Sequence, residues 1–188
     1  MILLKALLRR HEAFEADMKA IQERVDTLNE QTPKILEEHE DAKDQITSTS
    51  NAINLEWEGL KNKQKRNRES LKEHLEHLNF LQKVDNHSNW LKTLGNHFDQ
   101  LEVSSELATI DAQSLQHQEN WKVMQVKHEE LDNILKIGQE LPKHRDIIEE
   151  KSGSLQKQSD DLDEKWKKVK EALDEGADLA RFERDCES

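Results

Sequence analysis

The residues able to do chemistry in this chain are few, and their spacing does not assemble a reaction centre. His74 and His77 lie three apart and alternate with Glu73 and Glu76. On a helix that spacing puts two imidazoles on one side, where they could hold a metal. No third or fourth ligand follows at a defined interval, so no metal site is expected. The acidic run Glu37 to Asp44 (EEHEDAKD) has carboxylates but lacks the glycine and the alternation of a calcium loop. Cys186 is the single cysteine. It has no neighbouring base, so it is not read as a nucleophile, and one thiol cannot build a disulfide framework within the chain. No Ser/His/Asp set and no glycine-rich phosphate loop occurs. No catalytic residue and no cofactor is assigned, and the chain is not read as an enzyme.

One charged cluster remains. Lys61, Lys63, Lys65, Arg66 and Arg68 form a basic run in an otherwise acidic chain. The simplest reading is a solvated helix face. The other is a contact patch for acidic lipid, actin or calmodulin, although the large apolar residues of calmodulin targets are missing. Net charge is -12. That excludes nucleic acid as an expected partner, because phosphate neutralisation needs an excess of Lys and Arg.

The elements around these residues are helices. Of 188 residues 34% are apolar and 36% charged, with five glycines, two prolines and no tyrosine. Such a breaker-poor composition fits long helices or disorder, and periodicity decides between them. Apolar residues recur at alternating steps of three and four, the pattern of packed coiled-coil helices. Leu4, Leu7, His11, Phe14, Met18, Ile21, Val25 and Leu28 are the first series. Four more follow, running through Ile53, Trp57 and Leu60, through Phe80, Leu91 and Phe98, through Trp121, Met124 and Leu131, and through Leu155, Leu162 and Trp166. Disorder has no reason to keep such a register. The apolar start, Met1 to Leu8, reads as the first turns of a helix: it is short of the ~18 apolar residues of a membrane span and lacks a small-residue cleavage site.

The breaks are Pro33 with the acidic run after it, a helix stop at Gly95-Asn96, a loop over Asp99 to Thr109, and Pro142-Lys143. Nothing interrupts the chain between the second and third series. One helix is therefore expected from about Ile46 to about Leu94, on the order of 70 Å at 1.5 Å per residue.

The chain also repeats itself. His11, Met18, Val25 and Asp26 are matched by His117, Met124, Leu131 and Asp132 at an offset of 106. Ile53, Trp57 and Leu60 are matched by Leu162, Trp166 and Val169 at an offset of 109. The second copy thus has a longer loop between these two helices.

On these residues the chain resembles the spectrin repeat family. FLQKVDNHSNW, Phe80 to Trp90, is similar to the family's first helix (A), with Leu107 and His117 at the expected later places. HEAFEADMKAIQERVD is similar to the second helix (B), and Ile53/Trp57/Leu60 and Leu162/Trp166/Val169 to the third (C). The resemblance implies an all-α fold of tandem three-helix, left-handed coiled-coil bundles joined by a continuous helix. Residues 1–75 would be a partial repeat (helices B and C, helix A missing), 76–181 a complete repeat, and 182–188 a tail. The structural core would include Phe14, Met18, Val25, Trp57, Phe80, Trp90, Leu91, Trp121, Leu131, Leu162, Trp166 and Val169, with Trp90 and Trp166 as its main anchors. His11, His117 and His128 fall on seam positions and would lend the bundle some pH sensitivity.

Four features depart from the pattern. Pro33 should end or kink its helix early. The first loop between B and C lacks glycine. Gln64 and Asn67 are polar at core-phase positions. Phe182 to Asp185 (FERD) resembles the start of another helix A but comes one heptad too soon.

The function implied by the resemblance is a spacer or rod segment of an actin-associated membrane skeleton, in the cytoplasm at the cell cortex and cut from a longer rod. Its partners would be other spectrin-like chains, laterally or end to end, and actin indirectly. The alternatives are an adaptor-binding or self-assembly module, docking ankyrin or a partner's helix, and the rod of an α-actinin- or dystrophin-type crosslinker.

Overall fold

A computed structural model describes residues 2–186, with the side chains of residues 2–5 left undescribed. The side chain of Leu4 and the last two residues of the expected tail therefore lie outside the described residues. Helix α1 spans Ile2–Glu38, α2 Lys43–Asp99, α3 Leu107–Glu140 and α4 Arg145–Cys186. A short 3-10 turn, Glu40–Ala42, lies between the first two. No strand occurs among the described residues, and the fold is all-α.

Packing divides the chain into two units, residues 1–76 and 77–188. The first unit holds α1 and the beginning of α2. Its core is small: Met18, Val25 and Trp57, with Leu60 packed against them. The second unit holds the end of α2 with α3 and α4. Its main core joins residues repeating at sevens on each helix: Val84, Leu91 and Phe98 on α2, Met124 and Leu131 on α3, Ile148, Leu155 and Leu162 on α4. A smaller cluster of Ile110, Leu173, Ala177 and Ala180 continues it. Strict seven-residue recurrence keeps one stripe of each helix on the shared axis, as coiled-coil packing requires.

Several boundaries differ from the sequence reading. Gly95 does not stop α2, which continues to Asp99. One further turn buries Phe98 in the core, and that burial outweighs the modest helix cost of one glycine. Pro33 does not stop α1, which runs on to Glu38. Ile35 and Leu36 beyond it are half-buried, so extending the helix covers more apolar surface. The acidic run is not a loop throughout: only His39 and the 3-10 turn separate α1 from α2. The expected tail from 182 is helical through Cys186, continuing α4 beyond Ala180, its last buried residue.

The connectors of the second unit are short and pinned. Gln113 reaches back from α3, accepting from Ser104 N at 3.2 Å and donating to Glu102 O at 2.9 Å. Val103 from that loop sits where a Cβ on Gly176 would come within 2.8 Å of its Cγ1. Leu141 closes α3 by donating its N–H to Gly138 O, and His144 takes a left-handed φ of 61° just before α4. Gly138 is required by close approach: a Cβ there would lie 2.9 Å from Phe80 Cε2 and 3.0 Å from Ile148 Cγ2.

Candidate functional site

Two surfaces stand out, an open groove on the first unit and an aromatic seam in the second.

In the first unit α1 presents two rows at seven-residue spacing. His11, Met18, Val25 and Thr32 face α2, where Ser50, Trp57, Gln64 and Leu71 face back. Polar bonds tie this seam. Trp57 Nε1 donates to Gln22 Oε1 at 2.7 Å. Asn29 and Asn54 exchange amide hydrogen bonds at 2.9 and 2.8 Å. Gln64 Nε2 donates to Glu15 Oε1 at 2.8 Å, and Arg68 Nε lies 3.5 Å from the same oxygen. The polar Gln64 is thus satisfied at its core-phase position, whereas Asn67 is exposed.

The second rows are Leu7, Phe14, Ile21, Leu28 and Ile35 on α1 and Ile46, Ile53 and Leu60 on α2. They lie on the same side of the pair, since Leu28, Ile35, Ile46 and Ile53 line one cavity of about 290 Å³. Phe14, expected in the core, is 39% exposed, and Ile21 and Ile53 are similarly open. The reason is geometric: a two-helix pair buries one row from each helix and has nothing to cover the other. The basic run does not gather on one face. At about 100° per residue, Lys61, Lys65 and Arg68 share a side, and Lys63 and Arg66 point elsewhere. Lys61 pairs with Glu58 and Arg68 with Glu15.

In the second unit Phe80, Leu91, Leu131 and Leu162 are buried. Trp90, Trp121, Trp166 and Val169 pack against the core at its partly exposed edge. Trp90 and Trp166, expected as the main anchors, thus meet the core from its partly exposed edge. Trp121 and Trp166 lie 4.5 Å apart, and His117 stacks on Trp166 at 4.8 Å and 10°. Trp90 carries Lys127 Nζ over its ring at 5.6 Å.

His87 and His117 are the buried charge-capable groups, at 1% and 3% exposure. Desolvation lowers the pKa of both, against the raising pull of Glu130 on His87 and of the Trp166 carbonyl on His117. His117 was expected on the seam. His87 was only one member of a periodic series, and its depth could have been read from its place midway between Phe80 and Leu94. His128 sits at the edge, 3.1 Å from Asp163, and His11 is 3.3 Å from Glu15. His74 Nδ1 lies 2.8 Å from Ser70 O, and the His77 ring is 4.5 Å from that of His144. Among the described residues no group of three or more His, Cys, Asp or Glu is placed to hold a metal ion, and no helix is long and apolar enough to cross a membrane.

Open rows on one unit, filled rows on the other and a seven-residue recurrence in both are the geometry of a repeated three-helix bundle. Residues 3–73 match the spectrin repeat family. It is also 27% identical over 188 residues, 98% of its own length, to spectrin alpha chain, erythrocytic 1, of Mus musculus. The chain spans about 8% of the length of that relative. That family match falls on the two-helix unit with the open groove.

Proposed function

We propose that this chain is a structural segment of a spectrin-like rod, in which the first unit is helices B and C of one spectrin repeat and the second is a complete A-B-C repeat. One observation carries the reading: the single helix α2 supplies residues 43–76 to the first unit and 77–99 to the second. A helix shared in that way couples neighbouring repeats, so that each stabilises the next. The role is that of a spacer, serving an actin-associated membrane skeleton at the cytoplasmic cell cortex, with other spectrin-like chains as partners and actin reached through other parts. Adaptor docking, of ankyrin or another protein, and membership of an α-actinin- or dystrophin-type rod are the competing assignments within the same architecture.

A second reading is favoured by the open groove of the first unit. A third amphipathic helix lying in it would cover Leu7, Phe14, Ile21 and Ile53. The banks carry mixed charge three residues beyond the apolar rows, with Arg10, Asp17 and Arg24 on α1 and Glu56 and Lys63 on α2. That pattern would select a helix of complementary charge and fix its register.

Sedimentation velocity with circular dichroism over a concentration series tests both. The spacer reading expects a strongly helical monomer with a frictional ratio well above that of a compact protein of this mass. Helicity that rises with concentration as a dimer forms would favour groove completion by a second chain. A compact monomer of low helicity would remove both readings.

A further inference from the structure

Four side chains of the second unit link its interior to its surface. His87 on α2 is buried, and the Trp90 ring lies 5.9 Å from its own. Glu130 on α3 reaches solvent and turns one oxygen, Oε2, toward two groups: Lys127 Nζ, to which it is bonded, and His87 Nδ1, 4.0 Å away. The Lys127 ammonium rests over the Trp90 ring at 5.6 Å. We propose that His87, Glu130 and Lys127 form a proton-operated latch between α2 and α3. While His87 is neutral, Glu130 bonds Lys127 and the ammonium covers Trp90. When His87 takes a proton from solvent, the Glu130 carboxylate turns inward to accept from Nδ1–H, and Lys127 leaves the indole.

Three observations carry the latch. First, both ring nitrogens of His87 are buried without a hydrogen-bond partner. A proton on this ring is a buried charge, which is costly unless a counter-charge closes on it. Glu130 is the carboxylate that faces the ring, and a movement of about 1 Å brings Oε2 within hydrogen-bond reach of Nδ1. Second, Glu130 stays ionised where a histidine titrates, because its bond to Lys127 holds its pKa below the ordinary glutamate value. Third, an imidazolium at His87 repels the Lys127 ammonium beside it. The ring is enclosed, whereas Lys127 sits on a flexible stem with part of its surface in water. The lysine is therefore the group that moves. The surrounding charges come from all three helices. Lys83 on α2 acts on Glu130, His128 on α3 opposes a proton on His87, and Asp163 on α4 lies 3.1 Å from His128. Burial is the strongest influence on His87 and opposes its protonation, with Lys127 on the same side and Glu130 against them. The latch thus turns below about pH 6.5. It does not rest on the rod reading.

The test is an NMR titration of the full chain from about pH 8 to about pH 5, with circular dichroism alongside. At neutral pH the Lys127 side-chain methylene signals should be shifted upfield by the Trp90 ring. On acidification they should move to the positions of a free lysine with the same midpoint as the His87 ring, while helicity is unchanged. Glu130→Gln should lower the His87 midpoint by about 0.5 pH unit or more, and Lys127→Gln should raise it by a similar amount. In His87→Leu the Lys127 signals should stay upfield throughout. Lys127 signals that do not follow His87, a His87 midpoint unmoved in Glu130→Gln, a His87 ring still neutral at about pH 5, or helicity lost at the His87 midpoint would each overturn the proposal. Glu130 and Lys127 both reach solvent, so their variants keep the latch falsifiable even if His87→Leu folds poorly.

Discussion

His117 and Trp166 hold each other by backbone and side chain at once. His117 Nε2–H donates to the Trp166 carbonyl at 2.9 Å, Trp166 Nε1–H donates to the His117 carbonyl at 3.3 Å, and the rings stack 4.8 Å apart. Phe98 of α2 meets the same imidazole edge-on at 5.4 Å. The three helices of the second unit therefore converge on one histidine.

Trp166→Phe keeps an aromatic face but removes the indole donor. It should destabilise the second unit by about 1 kcal/mol, the net worth of one hydrogen bond. Trp166→Ala removes the stacking surface as well and should cost about 3 kcal/mol or more. Urea unfolding followed by circular dichroism separates the two. Equal losses would mean that the reciprocal bonds contribute most and the stack little.

Acid should loosen the second unit before carboxylates titrate. Burial lowers the folded pKa of His87 and His117 below 6.5. The unfolded chain then binds protons that the folded chain resists. Their contribution is fully present above about pH 6.5 and is lost as pH falls from there through the lowered folded values. The groups facing His87 are Glu130, Lys127 and His128, and those facing His117 are Asp174, Lys170 and His97. Denaturation midpoints measured between pH 7.5 and 5 should fall steadily. A flat profile would contradict the burial of these rings.

His87→Leu should stabilise the protein. Both ring nitrogens of His87 lack hydrogen-bond partners, and Glu130 Oε2 at 4.0 Å is too distant to supply one. Leucine fills a similar space without a desolvated polar group, for a gain of about 1–2 kcal/mol at pH 7. It should also flatten part of the acid profile. A loss of stability would show that a bridging water satisfies the imidazole.

Two glycine substitutions should act in opposite directions. Gly59 has nothing within 4 Å of an added Cβ, so Gly59→Ala should stabilise α2 by about 0.5–1 kcal/mol. Gly138→Ala gains the same propensity but drives its methyl into Phe80 and Ile148. That overpacking should cost about 1–3 kcal/mol. Thermal melts of the pair provide the comparison, and a stabilised Gly138→Ala would contradict the close packing of α3 on Phe80.

Much of this organisation was legible because the seven-residue recurrence is a direct consequence of helix geometry. The seam through Met18, Val25 and Trp57 and the one through Met124 and Leu131 could be read residue by residue. So could the unbroken helix from about Ile46 to about Leu94, which lies within α2. Helix ends were harder. Gly95 and Pro33 carry local stop signals that the burial of Phe98 and the half-burial of Ile35 override, and local signals do not report what lies across the bundle. Phe14 kept the right period but lost its cover, because a period identifies an apolar row without saying whether a partner fills it. Spacing likewise gives direction and not depth: Trp57 is buried, whereas Trp90, Trp121 and Trp166 pack against the core from its partly exposed edge. The tautomer of His117 was invisible, since it depends on where the Trp166 carbonyl lies.

The rigid recurrence in the second unit also constrains how such a chain can change length over generations. Deleting one residue within α3 between Ile110 and Met124 would turn everything after it by about 100° and carry Leu131 off the axis. Deleting seven would restore the alignment. Insertions and deletions should therefore accumulate in the connectors at residues 100–106 and 141–144, and enter the helices only a whole heptad at a time.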